Sequence, residues 1–397
     1  MNDVISQIPT KNPFRPGVGT PPRFLAGRDK AIAHFKAILR GAPELPANMR
    51  LTGLRGVGKT VLLQEFANEA KADNWFPVSI ELQPGHNNEE SLKSLLIRLC
   101  DEAAQKISTT ERVRAAIGKA VERVGSLKLT WNDISLGYEP ASVHNQDLAQ
   151  AIFSTAELAV EKGYDGIIFL LDEAQVVKDD NNSAGEHPLS MLIAAISTLQ
   201  RNGLPIGLVV CGLPTLTSNL LKARSYTERM FRGEEVSSLE ETEAVEAFEQ
   251  PLKDTGFTFT PDLVKEVVSE VEGYPYFIQL WGAELWDAAM SAGTTSFSIE
   301  LLAAIREDIY RRLDLDFYAP RVQTLTPAEQ DVLLSTVECK YPPVVVSELR
   351  TASDKTPQNI NVLLGRLVEA GVVYRLRQGQ YEYTAPKFRD YLERHPH

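Results

Sequence analysis

The sequence predicts an α/β protein: a doubly wound parallel-sheet domain, then a small helical domain, then a winged helix-turn-helix. Three observations carry that prediction. Short apolar runs alternate with helical patterns from 49 to 235, as strand–helix–strand units do. Successive helical segments follow from 240 with no strand pattern between them. From 326 the order is helix, helix, helix, β-hairpin.

Composition sets the outer limits. The 397 residues suffice for two or three domains at roughly 150 residues each. At 43% hydrophobic and 24% charged, the chain matches an average globular protein. Its longest apolar runs, 167–171 and 206–211, are too short to cross a bilayer. The opening MNDVISQIPTKNPF has no cationic segment before an apolar core, so no secretory leader is expected. Cys100, Cys211 and Cys339 are widely spaced and the histidines are scattered, so neither a disulfide framework nor a cysteine- or histidine-built metal site is expected. A cytoplasmic protein without a membrane partner remains. A net charge of −12 argues against non-specific coating of nucleic acid. The deficit is uneven, because 319–397 is close to neutral.

The elements follow in order. Residues 1–23, rich in Pro and Gly, read as an extended arm rather than a packed element. A helix at 29–39 stops at Gly41 with Pro43 behind it. A strand at 49–52 runs into a glycine-rich turn, and a helix at 60–71 follows. Next come a strand at 76–82, a helix at 91–106, a hairpin at 127–138 carrying Trp131, and a helix at 146–162. The run 166–171 is wholly apolar, as in a sheet covered on both faces. A helix at 188–202 and a strand at 205–211 continue the alternation. Helices at 240–253, 262–272, 276–290 and 299–313 form the next domain. The C-terminal elements are a helix at 326–340, a short segment at 344–352, a helix at 356–370, a hairpin at 372–384 and a helix at 388–395. The expected division is an arm at 1–23, a core at 24–235, a helical lid at 236–318 and a winged helix at 319–397.

Two motifs carry chemistry. Gly53-Leu-Arg-Gly56-Val-Gly58-Lys59-Thr60 is GxxxxGKT after a strand and opening a helix. Its glycines let backbone N–H groups wrap a phosphate, and the helix N-terminus adds its dipole. Lys59 would neutralise the β- and γ-phosphates, and Thr60 would place its hydroxyl on Mg²⁺. Gly53, Gly56, Gly58, Lys59, Thr60 and Val61 are the nucleotide-binding candidates here. The second motif is the apolar strand that delivers Asp172 and Glu173 at its C-terminal edge, where α/β sheets place ligands. Asp172 would hold Mg²⁺, and Glu173 would polarise an attacking water. ATP and Mg²⁺ are the expected ligands.

With these motifs, the chain resembles the AAA+/STAND P-loop ATPases, in the prokaryotic branch allied to origin-recognition-type initiators. Phe24-Leu-Ala-Gly27-Arg28-Asp29 resembles the box that cups adenine in that family, which nominates Phe24, Gly27 and Arg28. The arm from Asn12 resembles the segment that covers the base. Gly273-Tyr274-Pro275 resembles the lid motif that touches nucleotide through Pro275; a helix-start turn is the other reading. Where an initiator lid carries arginine, this chain has Pro275 and Tyr276. The family's polar first sensor has no Asn or Thr at Cys211-Gly212, and Thr215 is the nearest substitute. Arg229, ahead of Arg232, resembles an arginine finger that reaches a neighbouring subunit's γ-phosphate, implying a homo-oligomer; a solvated surface arginine is the plainer reading.

In the winged helix, Val362, Leu363, Leu367 and Val368 would pack inward. Lys355, Thr356, Gln358, Asn359 and Arg366 would face a DNA major groove, with Arg375, Arg377 and Gln380 at the hairpin tip. The resemblance thus implies a slowly hydrolysing ATP switch that couples nucleotide state to DNA binding. The alternative is a STAND-type sensor or scaffold whose winged helix contacts a protein partner, and near-neutral charge keeps that open.

Overall fold

A computed structural model of the chain describes residues 11–109, 143–180 and 185–395. The hairpin expected at 127–138, with Trp131, lies outside the described residues, as do residues 1–10 of the arm. The chain divides into two compact units, one of Arg28–Gly53 with Lys59–Val236, the other of Met1–Gly27, Leu54–Gly58 and Ser237–His397.

The first of these is the α/β unit. Its elements are α1 (Asp29–Gly41), β1 (Ala47–Gly53), α2 (Lys59–Ala72), β2 (Trp75–Glu81), α3 (Glu89–Thr109), α4 (Val143–Glu161) and β3 (Gly166–Asp172). After them come α5 (Pro188–Arg201), β4 (Ile206–Gly212), α6 (Thr215–Ala223), α7 (Thr227–Met230) and β5 (Arg232–Val236). The five strands form one parallel sheet in the order β2–β3–β4–β1–β5. Every residue of β3 and β4 is buried, which is why both read as unbroken apolar runs. Because all strands are parallel, Gly53 and Asp172 end on the same edge of the sheet. Strand β5 escaped the sequence reading because its residues, RGEEV, are polar, as an exposed edge strand allows.

The second unit is mostly helical. It holds α8 (Glu241–Glu249), α9 (Pro261–Val271), α10 (Pro275–Ala292) and α11 (Ile299–Leu313), with a two-residue parallel pair of β6 (Thr258–Phe259) and β7 (Ser296–Phe297) between them. The helix expected to reach 253 ends at Glu249 and passes into one 3-10 turn at Gln250–Leu252, because Pro251 cannot continue an α-helix. Leu263, Val264, Val267, Val268 and Val271 are all buried on α9. They join a core of Phe248, Phe277, Trp281, Trp286 and Phe297.

The arm is more than an extended lead. Asn12 Nδ2 donates to Ala283 O and Asp287 Oδ1, each at 3.0 Å, and Arg15 N donates to Gln279 Oε1 at 3.0 Å. Phe14 is buried against Phe248, with ring centroids 5.5 Å apart. Gly282 makes the room: a Cβ there would overlap the Phe14 ring. Contrary to expectation, residues 12–15 are therefore a packed element. Phe14→Ala should lower unfolding free energy by about 3 kcal/mol, the low end for a buried phenylalanine because the arm can detach. Urea denaturation checks this, and an unchanged midpoint would mean that the arm contributes nothing to packing.

A π-helical turn at Asp314–Tyr318 leads into α12 (Ala319–Gln323) and α13 (Pro327–Ser335). Then come β8 (Val344–Val345), α14 (Val346–Ala352), α15 (Pro357–Glu369), β9 (Val373–Arg377), β10 (Gln380–Tyr383) and α16 (Phe388–Arg394). The three strands form a sheet in the order β8–β10–β9. Helix α13 is shorter than the expected 326–340 and closes in a 3-10 turn at Thr336–Glu338. On α15 the buried stripe is Ile360, Leu363, Leu364 and Leu367. Val362 is not part of it: it is 56% exposed, and Val368 is half-buried. Two positions from Ile360 is roughly 200° around a helix, which turns Val362 away from the core.

Candidate nucleotide site

Gly53 closes β1 in the buried sheet. Gly56 and Gly58 have φ of +81° and +91°, conformations that glycine adopts freely and other residues rarely do. Among the described residues, nothing lies within 4 Å of where a Cβ at Gly58 would stand. Lys59 begins α2 and is only 6% exposed; Thr60 and Val61 follow, half-buried. A glycine turn opening into a helix N-terminus is a ready anion site.

Asp172 is 5% exposed at the end of β3, and its Oδ2 accepts a hydrogen bond from Thr60 Oγ1 at 2.6 Å. Its Oδ1 accepts from the backbone N–H of Glu173 at 2.8 Å. Glu173 sits at φ +52°, a left-handed conformation uncommon outside glycine and frequent at functional sites. Burial and then the Asp172 charge push the Cys211 thiol well up, with Lys59 opposing, so acid and lysine share one buried neighbourhood. The arrangement fits a magnesium nucleotide. A hydroxyl and a carboxylate suit a hard cation, a buried lysine suits phosphate, and the glycine turn leaves room for it.

Sequence reasoning missed Gln175. Its Nε2 donates to Glu173 Oε2 at 2.5 Å, while its Oε1 accepts from Leu213 N at 3.0 Å, just past β4. This amide stands at the strand end where Thr215 was the nearest candidate; Thr215 instead opens α6. The only local signal was a glutamine two residues after the acidic pair. We expect Gln175→Leu to lower kcat for ATP about 10-fold with KM unchanged, because a misplaced base slows chemistry without touching binding. Steady-state kinetics decides, and a raised KM at constant kcat would contradict that role.

The other candidates fall as follows. Phe24 is half-buried, and Gly27, at φ +64°, has the Glu243 carboxylate where a Cβ would lie. Arg28 is buried at the start of α1. Pro275 is the first residue of α10, half-buried. Gly273 has φ +67°, its Cβ would strike Leu239 O, and its own carbonyl accepts from Leu239 N at 2.8 Å. Gly273 and Pro275 thus have a turn-and-cap explanation, while Tyr274 between them does something else, described below. Arg229 and Arg232 are exposed and line a groove of about 330 Å³ with Ile38, Leu45, Pro46 and Phe231. Arg232 pairs with Met49, and Val236 with Gly53. Four strand steps of roughly 3.3 Å separate Arg232 from the loop end, at the opposite edge of the sheet.

On α15, Gln358 and Asn359 are exposed. Two expected nucleic-acid contacts are already engaged. Lys355 Nζ pairs with Asp331 Oδ2 at 3.0 Å, and Arg366 Nη1 lies 3.8 Å from Glu329 Oε1. Arg375 and Arg377 are exposed on β9, and Arg377 Nε donates to Gln380 Oε1 at 2.6 Å. The three cysteines are buried and unpaired. Among the described residues no helix is long and apolar enough to cross a membrane.

A glycine turn opening a helix, and an acid-tipped buried strand ending on the same sheet edge, define a P-loop nucleotide hydrolase. Residues 25–210 match the family model described as the AAA ATPase domain. Over those residues the chain is similar to an AAA ATPase domain, and the protein is an ATPase. Residues 315–392 match a second family model, a domain of unknown function designated DUF8462. Among solved structures, the chain is similar to the Walker-type ATPase PABY2304 of Pyrococcus abyssi, at 18% identity, TM-score 0.54, covering 94% of this chain and 97% of that one. It is also similar to the ORC2 protein of Aeropyrum pernix in its ADP form, at 15% identity, TM-score 0.52, covering 96% of each chain. At such identities the likeness is one of fold. Comparison with curated proteins gives no match.

Proposed function

We propose that the protein is a nucleotide switch that binds ATP at residues 53–61, hydrolyses it slowly, and uses its C-terminal elements, read as a winged helix, to bind DNA. The hydrogen bond between Thr60 Oγ1 and Asp172 Oδ2 supports the nucleotide half most directly, because it joins the two motifs at one point. Thr60 and Asp172 would hold Mg²⁺, which would supply neutralisation of phosphate charge. Lys59 pairs with phosphate oxygens. Glu173 orients a water and takes its proton as the water oxygen attacks the γ-phosphorus; the bond to the β-phosphate oxygen breaks and ADP leaves. Gln175 holds one Glu173 oxygen and leaves the other for that water. Arg229 and Arg232, at the far sheet edge, cannot serve their own loop, so a finger role needs a second copy, and hydrolysis by a lone chain is slow. The setting is cytoplasmic.

For DNA, the exposed amides of Gln358 and Asn359 suit base edges and Arg375 and Arg377 suit phosphates. Fluorescence anisotropy with a mixed-sequence duplex tests this reading. We expect salt-dependent binding, and the double variant Arg375→Ala/Arg377→Ala should reduce the slope of log K against log salt by about 2. Absence of binding in any nucleotide state removes the DNA half. The second reading, a protein partner, is favoured by the engaged Lys355 and Arg366 and by exposed Val362 on the same helix.

A further inference from the structure

Tyr274 lies fully buried at the entry to α10, and its hydroxyl donates to the backbone carbonyl of Arg55 in the middle of the glycine turn. The fit is close: a Cβ at Gly56 would overlap the Tyr274 hydroxyl. The Arg321 guanidinium is near the hydroxyl as well: burial pushes the Tyr274 phenol up, and the Arg321 charge opposes that push. Arg321 is on α12, its guanidinium 3.9 Å from the centroid of the Phe317 ring. Arg55 makes a further approach with its side chain: a Cβ at Gly371 would be 3.3 Å from its Cζ and Nε. Gly371 is the turn between α15 and β9. One residue of the turn is thus held by its carbonyl from the lid and lies by its side chain against the C-terminal elements.

The carbonyl contact has a geometric consequence. In a trans peptide the C=O of one residue and the N–H of the next point in opposite directions. With Arg55 O held by Tyr274, the Gly56 N–H must face away from Tyr274. Gly56, having no Cβ, is the residue whose peptide could otherwise turn over. A phosphate loop works by aiming such N–H groups inward.

We propose that Tyr274 is a positioning residue that fixes the Arg55–Gly56 peptide for phosphate, and that Arg55 against Gly371 passes the loading of the loop to α15 and the β9–β10 hairpin. This rests on residues 53–60 being the phosphate loop, but not on what the C-terminal elements bind.

Three variants separate the parts. Tyr274→Phe keeps the ring and removes the donor. Its ATP affinity, by isothermal titration, should fall about 10-fold while kcat at saturation changes less than about 2-fold, as expected when the Gly56 N–H is no longer held toward a charged phosphate. Arg55→Ala keeps the carbonyl and removes the side chain, and its own titration sets the nucleotide concentration that saturates it. Hydrogen exchange is then followed at 357–383 with and without a non-hydrolysable ATP analogue. The parent should gain protection there by at least about 3-fold, and Arg55→Ala should lose that gain. Unchanged ATP affinity in Tyr274→Phe overturns the positioning role. Full nucleotide-dependent protection in Arg55→Ala, or none in the parent, overturns the transmission. Lys59→Ala serves as the control: if it binds ATP like the parent, the phosphate-loop reading itself is wrong.

Discussion

Glu173→Gln protein will bind ATP with the affinity of the parent and hydrolyse it at least 100-fold more slowly. The amide keeps the size of the carboxylate and can still meet Gln175, but it cannot take a proton from water. Loss of a positioned general base costs roughly 10² to 10⁴ in rate. Binding should survive because the protein groups expected to hold phosphate and cation are Lys59, Thr60 and Asp172. The left-handed backbone at Glu173, φ +52°, is set by its place after β3 and is unaffected by exchanging one oxygen for nitrogen. Single-turnover hydrolysis and titration of a labelled nucleotide separate the two quantities. A variant that turns over at the parental rate would show that Glu173 is not the base.

Lys59→Ala should lose ATP binding altogether at micromolar nucleotide, a loss of more than about 100-fold. A buried ammonium facing phosphate acts without competition from bulk water, so its removal leaves phosphate charge unmatched at the helix start. Because Lys59 is 6% exposed, the variant must be shown to fold, and an unchanged circular-dichroism spectrum with a melting temperature within a few degrees is the needed control. Weakened binding with preserved fold supports the site. Binding equal to the parent would displace it.

The parts of the site that were legible in the sequence are those encoded locally. The glycine turn, Lys59 and Thr60 lie within eight residues, and Asp172 and Glu173 end a run whose apolarity announces a buried strand. Gln175 is two residues from Glu173, yet its meaning comes from Leu213 N, which only the pairing of β3 with β4 brings near. The contact of Tyr274 with the Arg55 carbonyl spans 219 residues of sequence, so no local pattern signals it. In the fold, polar β5 was invisible to a search for apolar strands. Val362 is apolar yet exposed, because helical phase and not apolar character decides which residues of α15 pack inward. The arm at 12–15 looked unpacked because Pro and Gly hid one decisive aromatic, Phe14, for which Gly282 leaves room.

The central question is whether nucleotide state governs what the C-terminal elements bind. The measurement is fluorescence anisotropy of a labelled duplex with Glu173→Gln protein, in saturating ATP and in saturating ADP, at two salt concentrations. Salt-sensitive binding at least about 5-fold tighter in one nucleotide than in the other is the expected result. Equal binding in ATP and ADP, or none in either with nucleotide bound normally, would contradict it.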